Sequence, residues 1–342
     1  MKDVAQAAKV STATVSRVVS DNGYPVAEET RLRVLETVRR MGYTPNDLAR
    51  SLLKDATRTI GIIVPDLANP HHPGVLRGVE DVAVANGYSV LFSSIDGHPD
   101  RLENYLNVMA TKRIDGLIMA GGGYDSTPPL EQIRALRLKT VMAGPQAGGQ
   151  LPGVEIDNVA AGRLAAEHLV QLGHRSIGVI TGPQGTAAPA GRLAGARQVF
   201  AEAGLNPGEM PVVESPFASE GGYAGGRALL DRDDRPTAII AASDVIAVGA
   251  MAAAHDLGLR VPQDLAIVGY DDIPVSRFLR PSLTTIGLPS WQIGATAMEV
   301  LLKLLRGEEV PDHTVLGLEL VVRGSTVAGA DEPEAAPQES QE

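Results

Sequence analysis

Cysteine is absent from the 342 residues, so neither disulfides nor thiolate-held metals contribute to the fold. Aromatic residues make up 4% of the chain, with a single tryptophan. The core must therefore rest on Ala, Val, Leu and Ile, within a hydrophobic share of 44%. No run of about eighteen apolar residues occurs, which excludes an ordinary helical membrane span. The opening residues 1–16 lack the apolar stretch of a secretory signal, and the expectation is a soluble cytoplasmic protein. Catalytic signatures are missing too. The glycine-rich stretches Gly121-Gly122-Gly123, Gly221-Gly222 and Gly225-Gly226 make no GxGxxG or P-loop after a first strand, and no GxSxG or HExxH occurs. No enzyme is expected, and no cofactor or metal.

The charge that is present is unevenly spread. The net charge is −11, yet residues 1–60 carry ten Lys/Arg against seven Asp/Glu, leaving twenty against thirty-four in the remainder. A mildly basic head on an acidic body suits a tethered DNA reader.

The head reads as short helices. Residues 3–8 place Val4, Ala7 and Ala8 on one face. Ser11 is a good N-cap for a second helix over 12–19, with Val15, Val18 and Val19 inward. Asp21-Asn22-Gly23 has turn chemistry. A third helix is predicted over 28–41, with Leu32, Leu35 and Val38 on one face and Gly42 as its stop. Its cap position holds Ala27, a poor capper, at a cost of about 1 kcal/mol. Thr44-Pro45 then opens a short fourth helix over 45–53.

From Thr59 the period changes. The apolar run 60–64 suits a parallel strand buried on both faces. Helix over 73–86, strand over 88–93, helix over 99–112, strand over 116–120, helix over 128–137 and strand over 140–142 follow. The same grammar restarts at 177–180, with helices over 191–203, 221–231 and 245–257 between strands 211–214, 238–241 and 265–268. This alternation predicts doubly wound parallel sheets. Arg58 to Ile63 also echoes Arg175 to Ile180, which suggests two similar lobes with a ligand cleft between them at the strand C-termini. The tail from Ala328, rich in Glu, Ala, Pro and Gln, is expected to be disordered.

Several blocks together carry a family resemblance: Asp3-Val4-Ala5, Val10 to Val18, Glu28-Glu29-Thr30-Arg31, Gly42 to Asn46 and Leu48 to Leu52. Others are Ile60 to Asp66, Arg113 to Ile118, Gly173-His174-Arg175, Arg192 to Gly195, Pro262 to Leu265 and Val268 to Asp272. In these, the chain resembles the lactose-repressor (LacI/GalR) family of bacterial transcription regulators, from its first residues to about Ser325. The resemblance implies an α/β protein: an N-terminal helix-turn-helix domain plus a two-lobed periplasmic-binding-protein-like domain of doubly wound parallel sheets. The expected divisions are 1–44 for the DNA reader, 45–57 for a hinge helix and linker, 58–327 for an effector-binding and dimerisation domain, and 328–342 for the tail. Its first lobe would comprise 58–157 and 288–316, its second 158–287 and 317–327.

The same resemblance assigns residues. Thr12 and Ala13 take the base-reading positions, Arg17 reaches guanine one turn later, and Thr14 and Ser16 donate to phosphates. Leu52, with Ala49 on the same face, matches a minor-groove wedge. Around the cleft the match implicates Asn69, His71 and His72 from the first lobe, and Arg192, Phe217, Asp244 and Asp271 from the second. Two departures stand out. Histidines replace the Phe-Phe of an Asn-Pro-Phe-Phe pattern, which hints at a ligand with more hydrogen bonding or negative charge. Ala143-Gly144-Pro145 stands where several sugar-binding relatives carry Asp or Asp-Arg, which speaks against an ordinary pentose or hexose and leaves the ligand identity open.

The expected partners are near-palindromic double-stranded operator DNA, a small-molecule effector and a second copy in a homodimer, with no membrane. Ligand closure of the lobes would release a repressor from DNA. Without the surrounding blocks, residues 11–17 read only as a capped amphipathic helix, Leu48 and Leu52 as packing, Arg192 as half of an ion pair and Phe217 as core. Adjacent histidines without a third ligand are a poor metal site. The rival reading, a transporter-type solute-binding protein without a DNA role, would require export.

Overall fold

The computed structural model describes residues 1–20, 24–43, 56–96, 98, 100–121, 127–146, 149–183 and 185–330. Ala49, Leu52 and the helix expected over 45–53 lie outside the described residues, as do the turn at 21–23 and the tail beyond 330. The chain forms two compact units, 1–57 and 58–342.

In the first unit, α1 (Lys2–Ala7), α2 (Thr12–Ser20) and α3 (Glu28–Arg40) enclose a small core of Val4, Ala5, Ala8, Val15, Val18 and Val34. Ala27 caps α3 without a side-chain hydrogen bond. Gly42, at φ +57°, ends that helix. There Gly42 N donates to Arg39 O and Tyr43 N to Val38 O, the paired bonds that close a helix through a left-handed residue. Two expectations are corrected: Ala7 is exposed and Ala5 takes its place in the core, and Leu32 is 59% exposed while Val34 takes the inward place. Arg33 Nε donates to Ala8 O at 3.1 Å. This ties α3 to the end of α1 and turns Val34 and Thr37, with Val38 beside them, toward the core.

The second unit holds two six-stranded sheets among its described residues. The first comprises β1 (Thr59–Val64), β2 (Ser89–Ser94), β3 (Gly116–Ala120), β4 (Thr140–Ala143), β5 (Gly153–Ile156) and β11 (His313–Leu316), in the order β2-β1-β3-β4-β5-β11. The second comprises β6 (Ile177–Thr181), β7 (Val212–Glu214), β8 (Ala238–Ala241), β9 (Ala266–Asp271), β10 (Thr284–Gly287) and β12 (Glu319–Val321), in the order β7-β6-β8-β9-β10-β12. The two orders are the same, so the sequence echo reflects a repeated topology. All pairings are parallel except β10 with β12, an antiparallel edge. In each sheet the order reverses beside the first strand, β1 or β6, and the crevice beyond the carboxyl ends there is the usual ligand position.

Helices α4 (His71–Ala85) and α11 (Ser290–Arg306) pair on one face of the first sheet, and α5 (Asp100–Thr111) and α6 (Thr127–Ala135) pair on the other. In the second lobe α7 (Asn158–Gln171) pairs with α8 (Ala187–Glu202), and α9 (Ser219–Leu230) with α10 (Asp244–Asp256). Ile60, Ile62 and Val64 of β1 face the α4/α11 core while Ile63 faces the α5/α6 core. That division explains why the strand reads as an unbroken apolar run.

Three of these helix pairs share one device. A Cβ on Gly78 would lie 2.0 Å from Trp291 O, and one on Gly294 2.0 Å from Val75 O. Gly162 and Gly195 bring α7 and α8 together in the same reciprocal way, as Gly222 and Gly249 do for α9 and α10. The chain passes between the lobes at Asp157, at 288–289 and at 317–318.

Candidate functional site

In the first unit, α2 presents its opening turn to solvent. Ser11 Oγ accepts from Thr14 N at 3.0 Å and lies 2.9 Å from Thr14 Oγ1, so Ser11 caps the helix. Val15 and Val18 are buried, while Thr12, Ala13 and Arg17 are exposed and Thr14 and Ser16 half-buried. The Arg17 guanidinium lies 5.3 Å from the Tyr24 ring centroid. A small polar face with one long cation a turn later is the shape that enters a major groove.

In the second unit the carboxyl ends of the two sheets face each other. Asn69 follows β1, and its Oδ1 accepts from His71 N at 3.0 Å. This local turn starts α4 with two histidines in its first turn. Gly74 lies against Ser290, where a Cβ would sit 2.8 Å from the serine Cβ. The close approach brings the first turns of α4 and α11 together, and His71 Nδ1 lies 2.8 Å from Ser290 Oγ. The rings of His71 and His72 meet edge to face, 5.4 Å between centroids.

The facing wall is built on α8 and β9. Arg192 is 9% exposed. Its Nε donates to Asn158 Oδ1 at 3.1 Å, its Nη1 to Ala242 O at 2.6 Å, and its guanidinium lies 4.6 Å from the Tyr270 ring centroid. Asp271 ends β9 at φ +112°, followed by Asp272 at φ +53°. Backbone held in this region by non-glycine residues is strained and tends to occur at functional sites. Asp271 Oδ1 lies 3.9 Å from His71 Nδ1, a contact between the lobes. Phe217 is half-buried over the loop after β6, against Pro189 and Gly182; a Cβ on Gly182 would stand 2.5 Å from the ring.

Four of the expected cleft residues thus converge, His71, His72, Arg192 and Asp271, with Asn69 positioning the histidines, whereas Phe217 packs against the core of the second lobe beside Gly182. Asp244 does not join them. It is fully buried, and its oxygens accept from Ile273 N at 2.9 Å, Ser276 Oγ at 2.6 Å and Thr285 Oγ1 at 2.6 Å. These bonds fix the segment after Asp271 inside the second lobe. Asn158, Tyr270 and Ser290 escaped the sequence reading, because each acts on a residue far away in the chain.

Burial lowers the His71 pKa to about 3, helped by His72 and Arg192, and lowers that of His72 to about 4, against a smaller opposing pull from Asp66. Both rings are uncharged at neutral pH, so they offer hydrogen bonds and not positive charge. Burial raises the Asp271 carboxyl well above its usual range; Arg192 opposes this and Asp244 adds to it. A stability prediction follows for His72. Unfolded, it gains a proton near its ordinary 6.5; folded, it resists one down to about 4. Its contribution is complete above pH 6.5 and declines toward pH 4, by up to about 1.4 kcal/mol per pH unit. Urea melts at pH 7.5 and 5 should show a smaller loss in His72→Gln than in the unmodified chain. Equal losses would mean that His72 is freely protonated when folded.

Comparison with known proteins agrees with this architecture. Residues 1–46 match the profile of bacterial regulatory proteins of the lacI family, and residues 166–326 match a periplasmic binding protein-like domain. The HTH-type transcriptional repressor CytR of Escherichia coli (strain K12) is 38% identical over 330 residues, covering 96% of each chain. The chain belongs to the LacI family of bacterial transcription regulators.

Other LacI-family relatives include catabolite control protein A of Priestia megaterium, 36% identical over 92% of this chain and 94% of that one. Among solved structures, the lac repressor dimer bound to operator and the anti-inducer ONPF superposes with a TM-score of 0.86 at 29% identity, covering 95% of this chain and 98% of that one. A complex of the transcriptional regulator CelR with cellobiose gives 0.74 at 30% identity, covering 94% and 98%. The chain is a DNA-binding regulator of this family, and the curated relatives it matches are transcription regulators.

Proposed function

We propose that this LacI-family protein is a repressor whose operator binding is controlled by a small metabolite held between the two lobes. Residues 1–44 read DNA, 45–57 form the hinge helix and linker, and 58–327 sense the ligand and pair two copies, leaving 328–342 as a tail. Two copies bind a near-palindrome, because one small helix-turn-helix reads too few bases to be selective. The observation that carries the DNA half is the exposed first turn of α2 on a closed apolar core. A solute carrier has no use for that surface.

The effector half is supported by charged and aromatic groups from both lobes meeting at the strand ends. Ligand binding that closes the cleft shifts the population between the two lobe arrangements and so alters the hinge helices on DNA. Release of DNA by the ligand is the sense we favour.

Selection of bound duplexes from a random pool tests the reading. The full chain should enrich a near-palindrome with a central pyrimidine–purine step. Arg17→Ala should lower affinity for it about 10- to 100-fold and relax one position in each half-site. No enrichment, with or without pooled metabolites, would refute operator recognition.

A further inference from the structure

The first unit carries two tyrosines. Tyr43 packs on its apolar core, whereas Tyr24 is 61% exposed. Burial therefore does not set the place of Tyr24. The chain that follows it does: Pro25 restricts the preceding residue to extended backbone, and Val26 packs on the core. The backbone beneath the ring is held from that side.

The group that meets the ring is the Arg17 guanidinium, 5.3 Å from its centroid. Val15 and Val18 turn inward from α2, at 0% and 3% exposed. Ala13 and Arg17, four residues apart, share the face turned away from them, and both are exposed. Ala13 ends at its Cβ and cannot brace a guanidinium. Among the described residues no carboxylate is paired with Arg17.

We propose that Tyr24 is a positioning residue of the DNA interface: its ring pre-sets the Arg17 guanidinium for a base edge, so that Tyr24 sharpens the preference for one base in each half-site without reading a base itself. The proposal rests on the reading of Arg17 as a base contact and adds to it a residue outside α2.

A ring suits this task better than a carboxylate would. A carboxylate takes the N–H edge of a guanidinium, the same edge that guanine O6 and N7 must accept from. A ring face attracts the positive charge without accepting those donors, and all five stay available. A long side chain with no brace also gives up rotamer freedom when it binds. An arginine already resting on a ring gives up less, and only in complexes where its base contact forms. The advantage is thus tied to one base. A phenol that touched a phosphate would instead strengthen all duplexes alike.

Fluorescence anisotropy of the full chain tests this on two duplexes. One is the sequence that the full chain enriches; the other has the base that Arg17→Ala relaxes replaced in both half-sites. Tyr24→Leu should weaken the first by about two- to fivefold per half-site, the scale of an exposed cation–ring contact. It should leave the second within about twofold. Tyr24→Phe, which keeps the ring, should restore the first to within about twofold of the unmodified chain. In an Arg17→Ala background, Tyr24→Leu should change neither. Since the ring lies outside the core, thermal melts of both Tyr24 variants should match the unmodified chain. Equal weakening of both duplexes, or a loss in Tyr24→Phe, would assign Tyr24 to the backbone of the DNA or to the fold and overturn the proposal. Unchanged binding in Tyr24→Leu would overturn it too. So would tighter binding, because the ring would then be holding Arg17 away from its base. Those failures leave Arg17 as a base contact. An Arg17→Ala protein with an unaltered base preference would remove that reading, and the proposal with it.

Discussion

Replacing Arg192 with alanine is expected to give a protein that still selects its operator but no longer responds to ligand. The side chain makes charged hydrogen bonds to Asn158 Oδ1 and Ala242 O and covers the Tyr270 ring. It also pulls the Asp271 carboxyl pKa downward against burial. Its loss leaves Asn158 Oδ1 short of a donor and Asp271 with a weaker hold on its negative charge. A charged hydrogen bond contributes about 1.5–3 kcal/mol, and part of the loss is relieved when Asp271 takes up a proton. A net destabilisation of about 2–4 kcal/mol is expected, together with at least a hundredfold loss of ligand affinity. Fluorescence anisotropy on operator DNA, with and without pooled metabolites that shift the unmodified chain, checks both halves. An Arg192→Ala protein that responds normally would place the sensor elsewhere. The DNA-reading surface lies in the other folding unit, so basal operator binding should survive.

Gly162→Val should be the most damaging single change in the sensor. A Cβ at 162 would lie 1.9 Å from Arg192 O and 2.7 Å from its carbonyl carbon. The obstacle is backbone, so no rotamer relieves it, and α7 must move away from α8. Overpacking of side chains costs about 1–3 kcal/mol, and a backbone obstacle exceeds that. A fall in melting temperature on the order of 10 °C is expected for a unit of this size. Gly87→Ala is the matched control. Gly87 sits at φ +73° with open space around its missing Cβ, so the cost there is the left-handed backbone alone, about 1–2 kcal/mol. If both variants melted alike, the helix crossing would be looser than the geometry requires. Gly162→Val should also weaken ligand binding in whatever protein stays folded, because the obstructed carbonyl belongs to Arg192 itself.

How much the sequence reveals depends on the distance over which a residue acts. The inward valines of α2 and the alternating strands and helices are legible because their periods are local. Leu32 shows the limit. Its spacing suits a buried face, but the Arg33 bond to Ala8 helps decide which flank of α3 turns inward, and that contact spans 25 residues. Helix α11 carries the spacing of a buried helix at Ile293, Ala297, Val300 and Leu301. Its period alone does not say that it leaves the second lobe to pack on α4; the family resemblance, which assigns 288–316 to the first lobe, does. The same distinction runs through the site. Arg192, Asp271 and the histidines stand in recognisable blocks, whereas Ser290 reaches His71 across 219 residues. Asp244 was readable as an acid beside the cleft but not as one whose oxygens are already taken by Ile273, Ser276 and Thr285.

The three passages between the lobes have a mechanical consequence. They leave from neighbouring strands, β5 and β11 on one side and β10 and β12 on the other, so they act as straps fastened along one margin. A single strap would let one jaw swivel in any direction. Three fastened along an edge resist twist and shear and leave bending across that edge as the easy motion. The glycine crossings stiffen each jaw, so little of the bend is absorbed inside it. Under the proposed function, binding energy gathered at the mouth would be delivered as one stroke along one path, which is what a separately folded DNA reader needs in order to register it.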